Sequence, residues 1–245
     1  MDRTLVIERR FNGPPESAQG GLACGRFAGR AQELLDGAAP AVVTLHAPPP
    51  LDVPLRIDPA GSRVHFWHEE TLVASVSRAE ARIRTVPFTS PDEAAEAERG
   101  YPSAADHPFP TCFVCGPLRA GTDGFGLAPG RLPHRTAGTA CRWTPDASLG
   151  AEHGQPVAAE FAWAALDCPG GWTADLAGAP MVLNRFTTVL TGMPIVGTSY
   201  VVVGDKDADD GHALTTTTAL YRYDGTPVGR ALARWVRITP AAAGD

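Results

Sequence analysis

Val157-Ala158-Ala159-Glu160-Phe161-Ala162-Trp163-Ala164-Ala165-Leu166-Asp167-Cys168 reads as an Ala-rich helix, stopped by Pro169-Gly170-Gly171. A short strand, Thr139 to Trp143, and a loop holding Gly150 and Gly154 precede it. The same order occurs earlier in the chain. There Thr4 to Glu8 reads as strand, Phe11-Asn12-Gly13-Pro14-Pro15 as a turn, and Gly20 to Leu35 as a small-residue helix stopped near Gly37. Alternating apolar and polar runs follow each helix. Strand, one helix and an antiparallel meander, stated twice, predict a duplicated α+β unit.

After the first helix the strand-like runs are Ala41 to His46, Leu51 to Ile57, Val64 to Trp67 and Thr71 to Thr85. Pro48-Pro49-Pro50 interrupts the first pair, and His68-Glu69-Glu70 turns the second, with a break expected near Ser77. After the second helix they are Met181 to Leu190, Thr198 to Val203, Ala213 to Tyr223 and Val228 to Ile238. Asp224-Gly225 marks a hairpin. Residues 87–111 are Pro-rich and carry an acidic stretch, Asp92 to Glu98, that suits a short helix after Ser90. The two units are placed at 1–104 and 105–245, and Ala241 to Asp245 is expected to fray.

The 245 residues, 44% hydrophobic and 20% charged, fit one large domain or two smaller ones, with enough apolar material for a sizeable core. A net charge of -6 argues against a nucleic-acid binder. No apolar run reaches the ~18 residues of a membrane span, and the start lacks a secretory layout. A soluble, cytoplasmic protein is expected. Its five cysteines, Cys24, Cys112, Cys115, Cys141 and Cys168, are then expected to be reduced.

This layout resembles the hotdog fold, a curved antiparallel sheet wrapped around one helix. Two units in one chain resemble double-hotdog acyl-CoA thioesterases of the thioesterase II type. Phe161 to Asp167 resembles their helix, which ends in an Asp after small and apolar residues. Val182-Leu183-Asn184-Arg185-Phe186 resembles the strand that carries a hydroxyl residue in that family; Asn184 stands in its place here. The family's Gln on the last strand has no counterpart, its place falling near Ala233 beside Arg234. The resemblance implies hydrolysis of an acyl thioester, carried by coenzyme A or a carrier protein, in a homo-oligomer, without a cofactor. A non-catalytic acyl binder and another hotdog enzyme, such as a dehydratase, are the alternatives.

Asp167 is the first catalytic candidate, as general base or as nucleophile. Asn184 could orient a water against it, having both a donor and an acceptor. Glu160 lies seven residues before Asp167 on the same helix, about 10 Å away, and suits the helix dipole. With Phe161, Trp163 and Trp172 it is assigned to the pocket. Asn12, Gly20 and Gly21 form the equivalent region of the first unit, where helix-start N–H groups could hold a carbonyl oxygen. Arg119, Arg131 and Arg185 could meet coenzyme A phosphates.

His107-Pro108-Phe109-Pro110-Thr111-Cys112-Phe113-Val114-Cys115-Gly116 is the most unusual segment. One Cys-x-x-Cys pair is half of a zinc site, and no second pair follows at similar spacing. His107, His134 or His153 could complete a site only through folding. No metal is expected, and the segment reads as a rigid, Pro-framed loop that packs on the sheet or lines a pocket. Asp123-Gly124-Phe125-Gly126-Leu127 matches neither a P-loop nor a dinucleotide fingerprint.

Overall fold

The computed structural model describes residues 3–35, 40–79, 82–119 and 123–238. Strand β1 (Thr4–Leu5) passes through a 3-10 turn, Arg9–Phe11, into helix α1 (Gly20–Gln32). Strands β2 (Ala41–Leu45), β3 (Leu55–Ala60), β4 (Arg63–His68) and β5 (Thr71–Arg78) follow, then helix α2 (Pro91–Glu98). The second half holds β6 (Gly130–Arg131), β7 (Gly138–Trp143), α3 (Ala159–Ala165), α4 (Cys168–Gly171), β8 (Met181–Leu190), β9 (Tyr200–Asp209), β10 (Ala213–Arg222) and β11 (Pro227–Arg237).

These strands form one 11-stranded sheet in the order β1-β3-β4-β5-β2-β8-β11-β10-β9-β7-β6. The first half reads β1-β3-β4-β5-β2. The second, read inward from β7, gives β7-β9-β10-β11-β8, the same connectivity. The duplication expected from the two helices is therefore a duplication of topology. The halves meet where β2 pairs antiparallel with β8, Val43 opposite Phe186. In each half the sheet packs against a helical element, α1 in the first and α4 in the second, the α+β arrangement expected of tandem hotdog units.

The second helix is not continuous from Val157 to Cys168. α3 ends at Ala165, and a separate turn, α4, begins at Cys168. Pro169 causes the break. It has no N–H to donate, and its ring collides with the carbonyl four residues back, at Ala165. Pro is nonetheless favoured in a first turn, so Pro169-Gly170-Gly171 opens α4 rather than a loop. The two pieces do different work. α3 packs against α1, whereas α4 packs on β7, β9 and β10. Asp167 stands at the corner between them.

Other boundaries shift for local reasons. β3 begins at Leu55, not Leu51, because Asp52 takes a positive φ of 60° and Pro54 cannot donate to a ladder. The first strand is only Thr4–Leu5, and α1 stops at Gln32 rather than Leu35. β5 ends at Arg78, close to the break expected near Ser77. β9 extends to Asp209, through polar residues that sequence alternation did not mark. There Asp205 and Asp207 are held by Arg84. Gly37, expected as a helix stop, and the tail from Ala241 lie outside the described residues.

The main core lies between the helices and the sheet. Phe27 of α1 and Phe66 of β4, both fully buried, meet with ring centroids 4.5 Å apart and planes tilted by 41°. A smaller core lies under α2. β9 shows how the strand period separates the two: Val202 joins the main core, and Val201 and Val203 join the one beneath α2. Ser90 caps α2 in a capping box, accepting from the Glu93 N–H while the Glu93 carboxylate accepts from the Ser90 N–H at 2.9 Å. Ser90→Ala is expected to cost about 1 kcal/mol. Thermal unfolding should then show a midpoint lower by about 2–4 °C.

Candidate functional site

Asp167 accepts two hydrogen bonds on Oδ2, and both donors come from the other half of the chain. The N–H of Gly21 donates at 2.7 Å, and Gln19 Nε2 donates to the same oxygen. Oδ1 is buried and has no partner among the described residues. The residue is only 3% exposed. Burial pushes its pKa up to about 8, because the loss of water outweighs the two hydrogen bonds that favour the anion.

Local sequence explains how Gly21 comes so close. A Cβ at Gly21 would sit 2.5 Å from Asp167 Cβ and 2.8 Å from the Trp163 carbonyl oxygen. Only a residue without a side chain lets α1 approach α3 and aim its second amide at the carboxylate. Gln19 caps α1, its Oε1 accepting from Leu22 N–H at 2.7 Å. That bond fixes the amide's orientation, leaving Nε2 for Asp167.

Asp167 lies on the wall of a cavity of about 400 Å³. Leu45, Leu176, Met181, Leu183, Trp172 and Trp235 make much of that wall apolar. Gln19, Gly20, Asn184 and His107 supply its polar part. The cavity thus draws on both halves and on the linker between them.

The structure brings together only some of the expected site residues. Asp167, Gly20, Gly21 and Asn184 converge on the cavity region. Asn184 also ties the halves together, donating to the Leu45 carbonyl at 3.0 Å and accepting from Arg234 at 3.3 Å. Phe161 and Trp163 do not line this cavity, although Trp172 does. The cavity lies beyond the C-terminal end of α3. Phe161 instead packs near Phe11 and Phe125, and Trp163 against Phe186. Glu160 is also elsewhere, paired with Arg26 at 3.0 Å. Asn12 buttresses the linker loop: its amide donates to Thr111 Oγ1 at 3.2 Å, and its oxygen accepts from Arg119. Arg119 is therefore largely buried and committed, also pairing with Asp123. Arg131 donates to the Thr173 carbonyl.

Gln19, to which the sequence reading assigned no role, is the residue that the structure adds to the Asp167 group. Its one local signal is its position immediately before Gly20-Gly21, where a helix cap belongs.

The loop from His107 to Gly116 lines the same cavity. Folding brings Cys112 and Cys115 together with Cys168, and the three sulfurs lie within 4.8 Å of one another, all buried. His107 joins them, its Nε2 3.6 Å from Cys115 Sγ. His134 and His153 do not belong to this cluster. All five cysteines are free thiols and buried.

No protein-family model matches the chain, and no curated protein matches it in sequence. Solved structures do match. A putative thioesterase from Novosphingobium aromaticivorans is 13% identical with a TM-score of 0.64, over 96% of this chain and 95% of that one. A putative thioesterase II from Thermobifida fusca is 13% identical with a TM-score of 0.59, over 98% and 94%. A dehydratase domain of a mycocerosic acid synthase-like PKS is 13% identical with a TM-score of 0.61, over 96% and 90%. The chain therefore has the hotdog fold, in two tandem units.

Proposed function

We propose that the chain hydrolyses an acyl thioester in this cavity, with Asp167 as general base toward a water. The observation that carries the reading is the asymmetry of the carboxylate. Oδ2 is clamped by Gly21 and Gln19, while Oδ1 is buried, unpaired and part of a residue on the cavity wall. A general base needs this arrangement: one oxygen anchored for orientation, the other left for the proton it will take.

In this reading a water bound at Oδ1 attacks the thioester carbon, and its proton passes to Asp167. The thiolate leaves and is protonated, giving a free acid and a free thiol. Gly20 is on the same wall, in the first turn of α1, where an N–H has no intrahelical acceptor. It is assigned to the thioester oxygen, where charge develops. Asn184 retains one amide N–H after bonding Leu45, and is assigned to orient the water or the thioester. The apolar wall takes the acyl group, and the naming of two matching structures as putative thioesterases agrees with the reading. The boundary between the two units is placed at 104/105, in the linker whose loop lines the cavity.

The test is thiol release from a panel of short, medium and aromatic acyl-CoAs. Turnover above the spontaneous rate for at least one substrate is expected; none on any substrate, with binding retained, would make the protein an acyl-ligand binder.

A dehydratase-type reaction has one observation in its favour, since His107 and Asp167 line the same cavity. Both nitrogens of His107 are engaged, however. Nδ1 accepts from the Phe109 N–H at 2.9 Å, and Nε2 lies 2.8 Å from the Tyr101 hydroxyl. A histidine so occupied is poorly placed to move a substrate proton, and hydrolysis remains the favoured reading.

A further inference from the structure

We propose that Cys112, Cys115 and Cys168 bind one Zn²⁺ ion, with the fourth position of the ion facing the cavity. The inference is independent of the hydrolytic reading, because it rests on three sulfurs and the groups around them.

The geometry is close to that of a bound ion. With Zn–S bonds of about 2.3 Å and tetrahedral angles, two sulfur ligands lie about 3.8 Å apart. The three sulfurs are already within 4.8 Å of one another, so closing on an ion needs movements of about 1 Å or less. Three thiolates are a soft ligand set, which selects zinc over magnesium or calcium.

The loop is built to hold its pair. Gly116 N–H donates to the Cys112 carbonyl at 2.9 Å, closing a tight turn over Cys112 to Cys115. A Cβ at Gly116 would fall 2.4 Å from Cys112 N and 2.6 Å from its oxygen, so this turn accepts only glycine. Phe113 N–H donates to the Asn12 carbonyl at 2.7 Å, and Leu127 N–H to Val114 at 3.0 Å, so the loop is pinned on two sides. Cys168 opens α4 and is placed by the Pro169 corner.

Two N–H donors face the sulfurs. Because Nδ1 of His107 accepts from Phe109, the ring proton of the neutral imidazole is on Nε2. That N–H points at both the Tyr101 hydroxyl and Cys115 Sγ, the latter at 3.6 Å. Gln19 Nε2 lies 3.6 Å from Cys168 Sγ. Donors of this kind stabilise thiolates and fix ligands from outside the coordination sphere. His107 is thus assigned to support Cys115, not to bind the ion. Three protein ligands leave one position, the composition of zinc sites that keep a place for water or a small molecule. All three cysteines line the cavity, as does Asp167, whose buried Oδ1 is unpaired.

The test is metal content of the full chain, purified without chelator and without a metal-affinity step. One equivalent of zinc per chain is expected. Cys112→Ser and Cys168→Ser should each lower it at least tenfold. Cys24→Ser and Cys141→Ser, which alter buried thiols outside the cluster, should leave it unchanged. Should a cluster variant not fold, the wild type carries the test alone: after Co²⁺ replacement its spectrum should show thiolate-to-metal charge transfer and the strong visible bands of a tetrahedral site. Added azide should shift those visible bands; unshifted bands would overturn the open fourth position. A wild-type protein that takes up neither zinc nor cobalt, or that shows a Cys112–Cys115 disulfide in peptide mapping, would overturn the site.

Discussion

Replacing Asp167 with Asn is expected to lower thiol release from the best acyl-CoA by roughly 10²–10⁴-fold, the usual contribution of a positioned general base. The substitution keeps the shape of the side chain. Its oxygen can still accept from Gly21 and Gln19, so the corner between α3 and α4 should persist. What disappears is the capacity of the free oxygen to take a proton. The variant should therefore bind acyl-CoA with nearly wild-type affinity, measured by calorimetry, while kcat falls. Folding should not suffer, because a buried carboxylate with one unpaired oxygen is a costly group to keep. A thermal midpoint at or above that of the wild type fits the exchange of stability for function seen at active sites. Wild-type turnover in the variant would remove Asp167 from the mechanism.

Gly21→Ala should be damaging on two levels. The added Cβ would meet Asp167 Cβ at 2.5 Å and the Trp163 carbonyl at 2.8 Å. Neither can swing aside: one is the stem of the clamped side chain, the other is backbone. α1 and α3 must separate, at roughly 1–3 kcal/mol for overpacking of this kind. In a chain of this length that corresponds to a drop of about 2–12 °C in melting temperature. The Gly21 N–H moves away from Oδ2, so activity should fall beyond the loss of folded protein. Gly29→Ala on the same helix is the control. Nothing lies within 4 Å of its added Cβ, and Ala is the better helix former by about 1 kcal/mol. The two variants should move the melting temperature in opposite directions. If both stabilise, the close contact between the helices is not as described.

Much of the architecture was legible because it is local. Alternation marked most of the strands, Ser90 and the acidic stretch after it marked α2, and Asp224-Gly225 marked the β10–β11 turn, where Gly225 takes a φ of 84°. The repeated order of helix and meander is enough to expect a duplicated α+β unit, and the resemblance to hotdog proteins implied the fold of each. The burial of Asp167 was legible too, since it ends an apolar helix, and a carboxylate there needs hydrogen-bond partners. The break at Pro169 was misjudged because a proline signals both the end of one helix and the first turn of the next, and local sequence does not choose.

Local patterns in the sequence were enough for the set of elements and for a carboxylate, Asp167, at the end of an apolar helix. Folding alone chose its neighbours. Gln19 and Gly21 are 148 and 146 residues from Asp167, and Cys168 is far along the chain from Cys112 and Cys115. Spacing rules for helices, turns and metal knuckles operate over a few residues. They are silent about contacts made when α1 slides against α3 and the linker loop folds onto α4. The expectation that one Cys-x-x-Cys lacks partners is a statement about sequence neighbours, whereas the cluster is made by packing.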